Sequence, residues 1–359
     1  MLAQLFSKIF AIIKWLLLPF GAIHLAVVRL RNKLYDLKWL TIRLLPVPVI
    51  SVGNIQMGGS GKTPMVLNLV ALLQEKGVSV GILTRGYARK SGRIRILHGG
   101  EIATVAEIGD EPAMMLRVLS SNSWLGIGAN RYLTGLALLA KKRVDVLILD
   151  DGMQHRKLHR DLDICLIDVS RWHNHPFLYP FSYLRDAKVS LKRAGFILLT
   201  KSENATKMGE KLHSQLSERF GGAVLKAHFQ FGEFEVLVDG SAIQLAKNTP
   251  VVSLCGIANP QHFQHTLRQS GADIKLNILF PDHHNYTHGE MAECAEQARL
   301  AGAEYIITTE KDAVKIRELL QPENSKWSDN ILVLPVVVNL ENPEVVEKQI
   351  DNLLNNRSL

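Results

Sequence analysis

The feature that most constrains this chain is the passage from residue 47 to residue 64. An apolar run ends in Ser51-Val52-Gly53-Asn54, and Gly58-Gly59-Ser60-Gly61-Lys62-Thr63 then opens a helical pattern. Strand, glycine loop and helix in that order make a cradle for phosphate. Glycines let successive N–H groups curl around the oxygens, and the helix start turns its positive end toward them. In such a loop Lys62 reaches the β- and γ-phosphates and Thr63 offers its hydroxyl to Mg²⁺. Gly58, Gly59, Ser60, Gly61, Lys62 and Thr63 are therefore the expected nucleotide-binding residues, with ATP and Mg²⁺ the expected cofactors. The spacing departs from GxxxxGK[ST] once, because Gln56 stands where the first glycine is usual.

Around this loop short apolar runs alternate with helical stretches. Strands are expected at 47–52, 78–83, 124–127 and 144–149, and helices begin near Lys62, Glu111 and Arg131. That order predicts an α/β fold: a P-loop NTPase-type parallel sheet flanked by helices. After an irregular stretch at 169–188 the alternation resumes, which predicts a second, smaller α/β/α domain. The expected division is 1–35 for an amino-terminal helical segment, 36–165 for the P-loop domain and 166–330 for the second domain. A strand and helix over 331–359 are expected to return to the first.

Two acidic motifs bear on chemistry. The apolar run 144–149 ends in Asp150-Asp151-Gly152, and a strand-end aspartate beside a P-loop is placed to hold Mg²⁺ directly or through water. An Asp-Gly turn after a buried strand is the plainer reading of the same residues. Gln154, His155 and Arg156 follow at once, where open α/β sheets bind ligands. Asp110, ahead of Pro112, fits a helix start, and equally a base for an acceptor hydroxyl if a neighbouring His assists. Asp282-His283-His284-Asn285-Tyr286, after an apolar run, is a separate loop dense in titratable groups, where a metal site is conceivable but lacks Cys or a His-x3-His helix pair.

Residues 9–28 are long and apolar enough to approach a membrane span, but Lys14, Pro19 and His24 interrupt them, and Arg29, Arg31 and Lys33 follow. A helix lying in the interface, basic residues against anionic headgroups, fits better; a helix buried on the domain and a true span are the alternatives. The formal charge of +8 suits an anionic partner. With no basic recognition helix, aromatic ribonucleoprotein stretch or arginine run, nucleic acid is not expected. Three scattered cysteines give neither a disulfide framework nor a zinc site.

Taken together, these blocks resemble the tetraacyldisaccharide 4′-kinase family. The likeness runs through Gly53-Asn54 to Pro64, Arg85-Gly86-Tyr87, Gly109 to Pro112, Asn130-Arg131, Asp150 to Arg156, Gly256 to Pro260, Asp282-His283 and Thr308 to Asp312. The resemblance implies ATP-dependent phosphorylation of the 4′-hydroxyl of an acylated disaccharide 1-phosphate in lipid A biosynthesis. It implies two α/β/α units around a cleft, at the cytoplasmic face of the bacterial inner membrane, with no obligatory protein partner. By position it assigns ATP and metal to Lys62, Thr63, Asp150 and Asp151, and acid–base work to Asp110 and His283. It places Tyr87, Arg131, Gln154, His155 and Arg185 at the lipid headgroup or sugar. The family's Arg-Glu-Pro is here Arg185-Asp186-Ala187, which leaves the role of Asp186 open. A P-loop ATPase or GTPase acting as a membrane-associated switch is the competing function. Thr309-Glu310-Lys311-Asp312 is the nearest approach to a guanine-reading Asn-Lys-x-Asp, and it lacks the Asn.

Overall fold

The computed structural model describes residues 18–87, 89, 92–173, 177–202, 206–220, 223–320 and 328–355. The first half of the apolar amino-terminal stretch lies outside the described residues. Helix α1 (Leu18–Asp36) leads into β1 (Val49–Asn54), and α2 (Lys62–Glu75) follows the glycine loop. Next come β2 (Val80–Thr84), β3 (Arg95–His98), α3 (Val105–Ile108), α4 (Asp110–Val118), β4 (Trp124–Ile127), α5 (Arg131–Lys141), β5 (Val146–Asp150) and β6 (Leu162–Asp168). After β7 (Phe196–Thr200), α6 (Thr206–Phe220) and β8 (Ala223–Phe231), the chain enters a smaller unit. That unit holds β9 (Phe234–Val236), β10 (Ala242–Ile243), β11 (Pro250–Cys255), α7 (Pro260–Gln269) and β12 (Asp273–Leu279). It continues with α8 (His288–Leu300), β13 (Tyr305–Thr309), α9 (Glu310–Arg317) and β14 (Ile331–Leu334), before β15 (Val336–Leu340) and α10 (Pro343–Asn355) close the described chain.

The large sheet runs β15-β8-β7-β6-β1-β5-β2-β4-β3, parallel from β8 to β4 with one antiparallel strand on each edge. Its central strands β1, β2, β5, β6 and β7 are buried along their whole length, which is why they read as mainly apolar runs, broken in β6 by the buried Asp163. On one face Val52, Ile82, Ile148 and Leu166 pack against Met65 and Leu69 of α2, Met115 of α4 and Val346 of α10. On the other, Ile167, Ile197 and Leu199 meet Leu25 and Val28 of α1 and Leu212 of α6.

Sheet membership moves the expected boundaries. A second unit over 166–330 would take β7 and β8 away from the large sheet, yet both pair parallel within it. The six-stranded sheet, β10-β9-β14-β13-β11-β12, begins only at Phe234. The single strand expected at the start of 331–359 is two, because Pro335 brings no N–H to a ladder. Residues before it pair with β13 and those after it with β8. The smaller unit thus hangs from two adjacent crossings, at 232–233 and at Pro335, where Gly232 N–H donates to the Pro335 carbonyl at 3.0 Å.

Helix α1 shows two apolar faces. Gly21, Leu25, Val28, Asn32 and Tyr35 recur every three or four residues and are buried on the body. Phe20, Ile23, Val27 and Leu30 face outward and are exposed. Among the described residues no helix is long and apolar enough to cross a membrane. A buried polar latch fixes the docked face: Asn32 Nδ2 donates to Asp186 Oδ1 at 2.9 Å, and Arg156 donates to the Asn32 carbonyl and to Asp36 Oδ1, each at 2.7 Å. Asp186 is wholly buried and pairs with Arg193 at 3.5 Å. Removing one partner of such a pair strands the other. Asp186→Ala should therefore cost about 3 kcal/mol or more of stability, read as a lower denaturant midpoint, while an unchanged midpoint would show the latch to be idle.

Candidate active site

The carboxyl ends of β1, β2, β4 and β5 open on one cavity of about 560 Å³. Lys62, Tyr87, Asp110, Arg131, Asp150, Asp151, Gln154, His155, Arg185 and His283 all line it. Of the expected loop residues only Lys62 reaches this wall. Gly58, Gly59, Ser60, Gly61 and Thr63 lie behind it, at the turn into α2.

The glycine loop is held from several sides. Gly58 and Gly61 take φ of +96° and +85°. A Cβ on Gly61 would stand 1.9 Å from the Phe229 ring, so no other residue fits that turn unchanged. Gln56 explains the missing first glycine: its amide exchanges two hydrogen bonds with the Asp168 backbone, at 3.1 and 2.8 Å, clipping the loop to the end of β6. Asn54 Nδ2 donates to Ser60 Oγ at 2.6 Å, and Gln154 donates to the Asn54 carbonyl at 2.7 Å.

The two aspartates after β5 have opposite surroundings. Asp151, in the left-handed region at φ +53°, receives the fork of Arg185 on both oxygens, one at 2.9 Å. Lys62 Nζ stands 3.7 Å from the same carboxylate. Burial pushes the Asp151 carboxyl up, but Arg185, Lys62 and Arg131 outweigh it and hold it down at about 2. Asp150 accepts a 2.8 Å hydrogen bond from Thr84. Burial first, then the nearby Glu111 and Asp151 charges, raise its carboxyl to about 7. Burial, then Arg131 and Arg160, bring the His155 imidazole down to about 4, so it stays neutral in the cavity at neutral pH.

The smaller unit adds one residue, His283, to the lining. Asp110 is the first residue of α4, behind Gly109, whose φ of +94° lets the backbone pass close to the Tyr87 carbonyl. His283 Nδ1 lies 3.0 Å from Asp110 Oδ2. Lys311 Nζ lies 3.2 Å from His283 Nε2, and an ammonium can only donate. The ring therefore accepts at Nε2 and carries its proton on Nδ1, which it donates to Asp110. The Tyr87 ring stands 6.2 Å from that of His283. His284 is turned elsewhere, to Glu290 at 3.1 Å. Asp312, in the near-match to a guanine-reading loop, is instead buried and accepts from Gly256 N–H at 2.9 Å and from Thr309 Oγ1 at 2.8 Å.

Sequence reasoning missed Asn54, Thr84, Glu111, Lys311 and Lys315 as members or neighbours of this site. Each lies inside or beside a motif already quoted, but nothing in spacing along the chain says which side chains cross the cleft.

The profile of the tetraacyldisaccharide-1-P 4′-kinase family matches residues 13–355. The chain belongs to that family. It is 38% identical over 302 residues to a tetraacyldisaccharide 4′-kinase of Geobacter sulfurreducens, covering 82% of each protein. It is 36% identical over 310 residues to one from Shewanella sp. strain MR-4, covering 86% of this chain and 84% of the relative. Among solved structures it resembles the "apo" form of LpxK from Aquifex aeolicus in complex with ATP, with a TM-score of 0.76 and 32% identity, over 95% of this chain and 99% of that one.

The family implies Mg²⁺. Among the described residues no group of three or more His, Cys, Asp or Glu could cage a metal. Mg²⁺ needs no such cage, since it binds through one or two carboxylates, phosphate oxygens and water. By donor type the Thr63 hydroxyl and the Asp150 carboxylate suit it, and a divalent cation would relieve the crowding of Asp150, Asp151 and Glu111. Both oxygens of Asp151 are already taken by Arg185.

The raised carboxyl of Asp150 has a consequence for stability. A folded value near 7 against an ordinary 3.8 means that the native chain binds this proton more tightly than the unfolded one. Its stabilising contribution is complete below the unfolded value and is lost as pH rises through the folded one. Without metal, Asp150→Asn should therefore melt higher than the parent protein at about pH 8 and level with it at about pH 4. Parallel melting curves across that range would refute the buried-charge reading.

Proposed function

We propose that this protein transfers the γ-phosphoryl group of ATP to the 4′-hydroxyl of a tetraacyldisaccharide 1-phosphate, an intermediate of lipid A biosynthesis. The observation that carries the reading is the Asp110–His283 pair, 3.0 Å apart, in the same cavity as Lys62 at the head of the glycine loop. In phosphoryl transfer the protein mainly positions reactants and neutralises charge. Gly58 to Gly61 cradle the phosphates through backbone N–H groups, and Lys62 takes up charge developing on the β–γ bridge. Thr63 and Asp150, with Asp151 as a neighbouring charge, would hold Mg²⁺, which would supply electrostatic stabilisation of the phosphates. Asp110, oriented by His283, accepts the proton of the attacking hydroxyl. Tyr87, Arg131, Gln154, His155 and Arg185 present a phenol, two cations, an amide and a neutral imidazole to the sugar and its 1-phosphate.

The acceptor is a lipid, and the outward face of α1 suits its location. Phe20, Ile23, Val27 and Leu30 would enter the interface while Arg29, Arg31 and Lys33 meet anionic headgroups. The protein then works as a peripheral enzyme on the cytoplasmic face of the inner membrane.

Incubation with γ-labelled ATP and purified lipid disaccharide, followed by chromatography of the organic phase, tests the reading: label belongs in the lipid. Label released only as free phosphate would favour a nucleotide switch. Lys62→Ala should lower transfer by about a hundredfold or more with little change in melting; undiminished transfer would remove the glycine loop from the reaction.

A further inference from the structure

The mechanism above leaves one buried charge unused. Lys315, on α9 of the smaller unit, has a side chain only 4% exposed, and its Nζ makes no hydrogen bond among the described residues. It stands 3.6 Å from Asp110 Oδ2 and 3.5 Å from Asp312 Oδ1, with the Tyr286 ring centroid 5.7 Å away. A buried ammonium is costly unless it answers opposite charge. Here one ammonium answers two carboxylates, one from each unit. Asp312 cannot move toward it, because its other oxygen is fixed by Gly256 N–H and Thr309 Oγ1, at 2.9 and 2.8 Å.

The oxygen that Lys315 faces on Asp110 decides what it does. His283 Nδ1 and Lys315 Nζ both address Oδ2, and no described residue hydrogen-bonds Oδ1. One hydrogen bond from His283 and the nearby Lys315 charge both draw on Oδ2, which disfavours rotation of the carboxylate and leaves its second oxygen for a third partner.

We infer that Lys315 is a positioning residue, clamping Oδ2 of Asp110 from the smaller unit so that Oδ1 receives the acceptor's proton. This rests on the kinase reading above. In the step it serves, the hydroxyl oxygen forms a bond to the γ-phosphorus and the bond from that phosphorus to the β–γ bridging oxygen breaks. The electron pair leaves with ADP, and the hydroxyl proton passes to Asp110 Oδ1. Lys315 makes no bond and gives up no proton. It fixes which oxygen is the base, and it does so only when the smaller unit is seated against α4.

The test is Lys315→Met, which keeps length and volume and removes the charge, assayed on the full chain with γ-labelled ATP and lipid disaccharide. The expected result is a kcat lower by about 10- to 100-fold, with KM for both substrates within about twofold; melting falls as well, because Asp312 and Asp110 lose a buried counter-charge. In an Asp110→Asn background the same substitution should cost nothing further, since the oxygen it orients is no longer a base. A kcat near the parent's, an equal loss in the Asp110→Asn background, or a change confined to KM and melting would overturn the inference. If Lys315→Met does not fold, Lys315→Gln takes its place. Failure of both to fold would make the residue a structural strut and likewise overturn it. Failure of the parent protein to label the lipid would instead defeat the kinase reading, so the two failures are distinguishable.

Discussion

The arrangement depends on one contact between two sheets, the hydrogen bond from His283 to Asp110. Asp110 opens a helix packed on the large sheet, and His283 sits in a loop leaving the small one. Neither position is set by the chain near it. Both follow from how the smaller unit, hung on two adjacent crossings, seats against α4 through α9. If the proposed acid–base roles hold, a site divided in this way is complete only while the units are in contact, which would limit wasteful attack by water.

Within the larger unit the same economy appears in Asp150 and Asp151. They are neighbours in sequence, yet one carboxyl is driven up by burial and like charge while the other is held down by Arg185, Lys62 and Arg131. Environment, not residue type, divides their labour. Arg185 also ties Asp151 to Asn54 at the end of β1, and Asp186 beside it holds α1 through Asn32. The helix with the outward apolar face is thus three short links from the phosphate loop, through residues that a search for motifs alone would pass over.

Much of this was legible in the sequence, for physical reasons. The buried parallel strands announce themselves as mainly apolar runs, and a glycine loop between such a strand and a helix points to phosphate more than to an ordinary turn. The aspartates at the end of β5 were readable for the same reason, being polar residues ending a run that must be inside. Partnership between strands was not readable. β7 and β8 look like any buried strands, and only pairing shows that they extend the large sheet. Pro335 carried a usable signal, since a residue without an N–H between two apolar runs marks a change of ladder. Gln56 carried none, because its exchange with the Asp168 backbone joins residues far apart in the chain. Lys315 likewise reads as an ordinary helical lysine until α9 is placed against α4.

The central claim is that Asp110 and His283 act as one unit in the transfer of phosphate. A double-mutant cycle measures this directly, comparing Asp110→Asn, His283→Ala and the double variant in single-turnover transfer from γ-labelled ATP to the lipid disaccharide. If the pair is one device, the double variant is no slower than the slower single variant. Losses that multiply in the double variant would mean that the two residues act independently, and would contradict the account.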